Sequence, residues 1–318
     1  MIVIACPGQG SQTPGFLEPW LAGSDAKRWL REMSERIEID LVKHGTVSDA
    51  ETIRATNIAQ PLIVAAGILS LNSINAELAK LDTATAAVVQ QRLCFAGHSV
   101  GEITAAYGAG VFNALAALEF VAARSRAMQR CAGASATSMA AVLGAATPEL
   151  QQRLEELQLT VANYNGAGQL VVAGALANVA KLVSDPPAKT RVIQLRVAGA
   201  FHTDAMAQAR DELTQAKQEF LIEDPKVPLY TNRDGSVVDS GSAYLELLIS
   251  QIATPVRWDL CMESLLQDGV SQLVELAPSG ALSGLAKRAM KGVAISKIST
   301  PEDVKILVTK LTANAQND

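Results

Sequence analysis

Aromatic residues make up only 4% of the 318-residue sequence, and histidine occurs three times. With so few rings, the core must be built from small aliphatic side chains, alanine prominent among them, on helices that approach closely. Cysteine is equally sparse. Cys6, Cys94, Cys131 and Cys261 form no Cys-x-x-Cys pair, which argues against a metal site or a disulfide framework and for reduced, buried thiols in a cytosolic protein. Positive charge is in deficit, with 27 Lys and Arg against 32 Asp and Glu for a net charge of -5. No basic tract interleaves with aromatics, so a nucleic-acid partner or substrate is not expected. Long apolar runs are missing too: Leu62 to Leu71 is broken by Gly67 and Ser70 and falls short of the roughly 20 residues that span a bilayer. Val3-Ile4-Ala5-Cys6 has no basic segment before it, so it reads as a first strand and not as a signal peptide. The expectation is a soluble, cytoplasmic protein with no membrane contact, long enough for one large domain with an insertion or for two domains side by side.

What is present is a Gly-x-Ser-x-Gly turn. Gly97-His98-Ser99-Val100-Gly101 follows the apolar run Leu93-Cys94-Phe95-Ala96, the order of a strand entering a tight bend where only glycines fit beside a projecting serine hydroxyl. The helix that follows, from Glu102 to Ala106, aims free N–H groups at the same place and favours negative charge on a reacting oxygen. Ser99 is therefore a candidate nucleophile for acyl transfer, with a structural Gly/Ser turn as the competing reading. Upstream, Ile2 to Ala5 reads as a buried strand ending in Pro7-Gly8-Gln9-Gly10-Ser11-Gln12, a loop able to present N–H groups to an anion. A helix is expected to begin near Gln60-Pro61, with Leu62, Ala65, Ala66 and Leu69 on one buried face. Such alternation of strand and helix favours a parallel sheet covered by helices, an α/β fold.

Between Met128 and Ala198 the pattern changes to a βαββαβ order. Met139 to Leu143 is strand-like, and Thr147-Pro148 offers an N-cap followed by proline at the first helical position. Leu159 to Tyr164 and Gln169 to Ala173 flank the hairpin connection Asn165-Gly166-Ala167-Gly168. A second helix covers Leu176 to Val183 and is stopped by Asp185-Pro186-Pro187, after which Arg191 to Val197 alternates like a strand. This order matches a small ferredoxin-like module. Parallel-type elements then resume: a strand at Val227–Thr231, a helix near Tyr244–Gln251, another after Pro255, a strand at Gln272–Leu276 and a final helix. The module is thus expected as an insertion, residues 128–198, in a larger subdomain formed by 1–127 and 199–318.

A serine needs a base, and only His44, His98 and His202 are on offer. His98 adjoins Ser99 on a bend where neighbouring side chains diverge. His44, in Lys43-His44-Gly45-Thr46, reads as a solvated residue. His202 follows the inserted module directly and so falls at the seam between subdomains, where active sites commonly form. The competing reading of a histidine beside Phe201 is a satisfied core residue, and the catalytic one is preferred. Asp204 is only two residues away and no other Asp or Glu stands out to orient it; a backbone carbonyl is an alternative for that task. The helix after the elbow carries Ala117, Val121, Arg124 and Met128 on one face, so a guanidinium interrupts an apolar stripe and needs an anion, either a structural carboxylate or the carboxylate of a substrate. Arg126 and Arg130 lie on another face and are expected to be solvated.

Taken together, these segments resemble the malonyl-CoA:acyl carrier protein transacylases and the acyltransferase domains of fatty-acid and polyketide synthases. The resemblance runs in order through Pro7 to Gln12, Gln60-Pro61, Gly97 to Glu102, Arg124 to Met128, Asn163-Tyr164-Asn165, Phe201-His202, Gln251 with Thr254 to Trp258, and Glu275 to Pro278. It implies a larger α/β-hydrolase-like subdomain with a parallel sheet, interrupted by a ferredoxin-like one. It also implies Ser99 as nucleophile, His202 as base oriented by a carbonyl near Gln251, and an oxyanion hole from the N–H groups of Gln9 and Val100. Arg124 would clamp the malonyl carboxylate, with Phe201, Met128 and Asn163 also touching substrate. Within polyketide members, Phe201 before the histidine and Val100 after the serine accompany malonyl specificity, whereas Gly199 departs from the histidine usual there. The partners implied are malonyl-CoA and acyl carrier protein, for a monomer with neither cofactor nor metal, in fatty-acid synthesis. The alternatives are a standalone polyketide acyltransferase, a serine hydrolase, or a noncatalytic docking module.

Overall fold

Five consecutive buried residues form β1 (Ile2–Cys6), a run without alternation that suits only a strand covered on both faces. The computed structural model, which describes residues 1–144 and 146–315, sets it between two parallel neighbours. Ile4 faces Phe95 of β2 (Leu93–Gly97) on one side and, counting the later strands in chain order, Val274 of β8 (Gln272–Glu275) on the other. With β9 (Ala294–Lys297) the first sheet runs β2-β1-β8-β9, all parallel. In such sheets the loops leaving the strands' carboxyl ends build the site. Here those are Pro7–Gln12 after β1 and the glycine elbow after β2.

The second sheet contains β3 (Thr137–Leu143), β4 (Thr160–Gly166), β5 (Gln169–Ala175) and β6 (Arg191–Gln194). They lie in the order β6-β3-β5-β4 with antiparallel pairing, and β7 (Val256–Arg257) adds a parallel fifth strand beside β4. Counted within the module the order is 4-1-3-2, the arrangement expected of a ferredoxin-like unit. Its helices, Pro148–Glu156 and Leu176–Ser184, cover one face, and Thr147 caps the first by accepting from the Leu150 N–H at 3.3 Å. The expected boundary at 127/128 falls inside one continuous helix, Ala114–Ala134, and Val256–Arg257 comes from beyond residue 198.

Four local expectations are corrected. The helix placed at Gln60-Pro61 starts at Thr56 and runs to Leu78, because Thr56 N–H donates to Gln129 Oε1 at 3.0 Å and Pro61, inside the second turn, forfeits only the one bond that an N–H there would have given to Asn57 O. That helix is long and apolar enough to cross a membrane, yet most of it is buried in the protein on every side instead of along one stripe. The stretch from the elbow to Met128 is two helices, Gly101–Ala109 and Ala114–Ala134, because Gly110 takes a left-handed cap at φ 88° and Asn113 caps the second by accepting from Ala116 N–H at 2.9 Å. Val227–Thr231 is not a full strand: Pro228 has no N–H to give, and the segment makes a single parallel bridge, Phe95 to Leu229, before turning at Thr231.

Candidate active site

Two glycines decide how the elbow folds. A Cβ on Gly97 would lie 2.1 Å from the Gly101 carbonyl carbon, and one on Gly101 would lie 2.1 Å from Cys6 O. Both neighbours are backbone and unable to rotate away. Ser99 between them has φ 54°, a conformation that L side chains rarely adopt. It is held by Asn232, whose Oδ1 accepts from Ser99 N–H at 2.8 Å while its Nδ2 donates to Gly97 O at 2.7 Å.

Ser99 Oγ stands 2.7 Å from His202 Nε2. The other ring nitrogen, Nδ1, donates to Gln251 O at 2.8 Å, which places the proton there and leaves the Nε2 lone pair facing the hydroxyl. His202 also has positive φ, 60°, and is buried. Burial, followed by the nearby Arg124 charge, pushes its pKa down to about 3, so the imidazole is neutral at neutral pH. His98 points elsewhere: its Nε2 pairs with Asn165 Oδ1 at 2.9 Å, and its ring packs edge-on against Trp258. His44 pairs with Ser48 at 2.9 Å, is half-buried and lies outside the cleft.

Arg124 is 1% exposed. Its guanidinium donates to Gln60 Oε1 at 2.6 Å and to Gln251 Oε1 at 3.1 Å. Burial lowers its pKa to about 10, with Glu102 opposing, so it remains a cation at neutral pH. It lies behind the cleft wall, whereas Gln60 and Met128 line the cleft itself. That cleft, of about 430 Å³, is bounded by both sheets' elements and includes Gln9, Ser99, Met128, Asn163, Phe201 and His202. Asn163 Oδ1 is buried there with no hydrogen-bond partner. Among the described residues the backbone N–H groups of Gln9 and Val100 donate to no protein acceptor. Gly8 presses against the elbow so tightly that a Cβ would come 2.8 Å from His98 O.

The structure thus brings Ser99, His202 and Gln251 into one hydrogen-bonded chain and joins Arg124 to it through the Gln251 side chain. Arg126, expected in solvent, is half-buried and donates to Ile37 O; Arg130 is exposed and pairs with Glu212. Sequence reasoning missed Asn232 and Glu102. Asn232 sits in Thr231-Asn232-Arg233-Asp234-Gly235, which signals only a turn, and Glu102 resembles an ordinary acidic residue in a helix's first turn. Among the described residues no three metal-ligating side chains cluster.

A serine on a strand-to-helix elbow, hydrogen-bonded to an imidazole under a mixed α/β fold, is the arrangement of the class of enzymes that move acyl groups through serine. The chain belongs to the acyl transferase domain family, whose model matches residues 3–315. It is 43% identical to the malonyl CoA-acyl carrier protein transacylase of Mycobacterium tuberculosis, over 96% of this chain and 98% of that protein. The crystal structure of MCAT from the same organism matches with a TM-score of 0.89 at 44% identity, covering 96% of this chain and 99% of that one. A malonyl-transacylase in complex with a type II polyketide synthase acyl-carrier protein matches at TM-score 0.86 and 26% identity, over 98% and 99% of the two chains.

Proposed function

We propose that this protein transfers malonyl from malonyl-CoA, through an ester on Ser99, to the phosphopantetheine thiol of acyl carrier protein, in fatty-acid synthesis. The observation that carries the reading is the chain Ser99 Oγ, His202, Gln251 O at 2.7 and 2.8 Å, with a buried arginine joined to it. The neutral imidazole takes the Ser99 proton as Oγ attacks the thioester carbonyl. The negative oxygen that forms is stabilised by the N–H groups of Gln9 and Val100, which have no protein acceptor. His202 then returns its proton to the departing CoA thiol. In the second half the carrier thiol gives its proton to His202, attacks the Ser99 ester, and Ser99 leaves with that proton. No electron changes hands, so the reaction as written balances without a cofactor.

Arg124 is assigned to the malonyl carboxylate, with Gln60 and Gln251 holding the guanidinium in readiness. Phe201 and Met128 are assigned to the acyl pocket, and the unpaired Asn163 Oδ1 to an N–H of the incoming substrate. The protein is further read as a cytoplasmic monomer, with the smaller subdomain running from the end of the Ala114–Ala134 helix to residue 198 and taking Val256–Arg257 as an edge strand, and the flanking segments forming the larger. A second reading, that the carrier belongs to a polyketide synthase, is favoured by the likeness to a transacylase seen with such a carrier.

Intact-protein mass spectrometry after brief exposure to malonyl-CoA tests the proposal. A malonyl adduct that is absent from Ser99→Ala, and that chases onto a fatty-acid carrier protein faster than onto a polyketide carrier, is the expected result. Malonate released without carrier would make the protein a hydrolase and overturn it.

A further inference from the structure

Glu102 is 1% exposed, and its carboxylate turns from solvent into the protein. Oε1 accepts from Asn232 N–H at 2.6 Å, and Oε2 accepts from the side-chain amide of Gln251. The same Gln251 Nε2 reaches Asn232 Oδ1 at 3.2 Å and Ser99 O at 3.4 Å, while Gln251 Oε1 accepts from Arg124 at 3.1 Å. An amide has two unlike ends, and both are committed here. The reverse orientation would set acceptor against acceptor at Glu102 and donor against donor at Arg124.

We infer that Glu102 is a positioning residue for malonyl transfer, fixing the Gln251 amide so that its oxygen holds Arg124 while its main chain holds His202. The inference rests on the acyl-transfer reading above. One carboxylate thereby registers the acid-binding group and the base against each other, through a residue that touches both. Asn232 extends the same control to the nucleophile, since it receives the Glu102 contact at its N–H and holds Ser99 N–H with its side chain. A carboxyl group keeps a lone pair on each oxygen for these two donors whether or not it is protonated. A glutamine in its place has one acceptor oxygen for two donors, so either the Asn232 N–H is stranded or Gln251 must turn and face Arg124 with its NH₂.

Glu102→Gln is nearly isosteric and separates positioning from packing. It should lower malonyl acylation relative to acetyl acylation by about 10- to 100-fold, the range given by the one hydrogen bond that the Arg124 guanidinium makes to Gln251 Oε1, because acetyl makes no demand on Arg124. Gln251→Leu, which removes the amide and keeps the main-chain carbonyl, should shift the ratio likewise, and the double variant should be no worse than the larger single effect. These ratios are read from single-turnover acylation by malonyl- and acetyl-CoA, with melting temperature measured alongside. A Glu102→Gln protein that loses both activities in parallel with its melting temperature, or a Gln251→Leu protein with an unchanged ratio, overturns the inference while leaving the function standing. Wild-type protein that takes no malonyl from malonyl-CoA overturns the function, and the inference with it.

Discussion

Ser99 and His202 both occupy left-handed backbone, at φ 54° and 60°, so each side chain proposed to react is aimed by a conformation its own residue type disfavours and the surroundings must impose. The histidine carries the more revealing electrostatics. Because burial lowers its pKa to about 3, kcat/KM for acylation should show no inflection near the ordinary 6.5, and the acid limb should lie well below it. A rate that halves near pH 6.5 would contradict that environment. His202→Ala should depress acylation by about 10²–10⁴-fold, whereas His44→Ala, outside the cleft, should do almost nothing. Arg124→Ala should collapse malonyl transfer, since stranding a buried carboxylate costs about 2–5 kcal/mol, yet retain acetyl transfer; parallel kinetics with both thioesters decide it. At this scale the sequence was informative where one residue type broke a pattern, as Arg124 breaks an apolar stripe and Ser99 a pair of glycines. It was silent about Asn232 and Glu102, whose partners lie far away in the chain and include main-chain groups of Ser99, Gly97 and Asn232 that no residue letter encodes.

Among the elements, the elbow is the least tolerant. Gly101→Ala places a methyl 2.1 Å from Cys6 O, pushing β1 and the start of the next helix apart along the seam that carries Ser99. We expect a loss above the ~1–3 kcal/mol typical of an overpacked core, because backbone has no rotamer to yield. Gly133→Ala is the control: it is exposed in a helix, a Cβ there meets nothing within 4 Å, and it should stabilise by about 0.5–1 kcal/mol. Equal melting temperatures for the two variants would refute the steric account. Elements with a local chemical signal were readable in advance, as with Thr147-Pro148 opening a helix or the glycine-rich turn between β4 and β5. Elements whose existence depends on partners were not. Half-exposed Ala294–Lys297 is a strand because β8 offers it an edge. Val227–Thr231 has the composition of a strand but, with Pro228 lacking an N–H, makes only isolated bridges, Leu229 parallel to Phe95 and Tyr230 antiparallel to Val237.

Across the whole molecule, the cleft forms where the two sheets' elements meet, and His98 to Asn165 at 2.9 Å and Arg288 to Gln169 at 2.8 Å cross that meeting. Folding therefore buries ionisable groups at the seam, and two of them pull stability in opposite directions with pH. Unfolded His202 gains its proton near 6.5 and the folded form only near 3, so its contribution is present above 6.5 and is lost as pH falls through that window. Lowered His98 and His44 act in the same direction. Glu102 is raised by burial from 4.5 to about 8; its contribution is complete below 4.5 and is lost as pH rises toward 8. Between 4.5 and 6.5 Glu102 offsets His202, and the other two histidines leave stability rising toward 6.5. Above 6.5 the histidines are neutral in both states, and the buried thiols stay protonated beyond the usual 9, which leaves Glu102 as the main slope, at up to about 1.4 kcal/mol per pH unit. The melting temperature should therefore peak on the acid side of neutrality and fall by several degrees between pH 6.5 and 8. Glu102→Gln, whatever its absolute stability, should flatten that fall. A wild-type curve that is level or rising across this interval would mean that Glu102 is already ionised in the folded protein, with its donors and Arg124 outweighing burial.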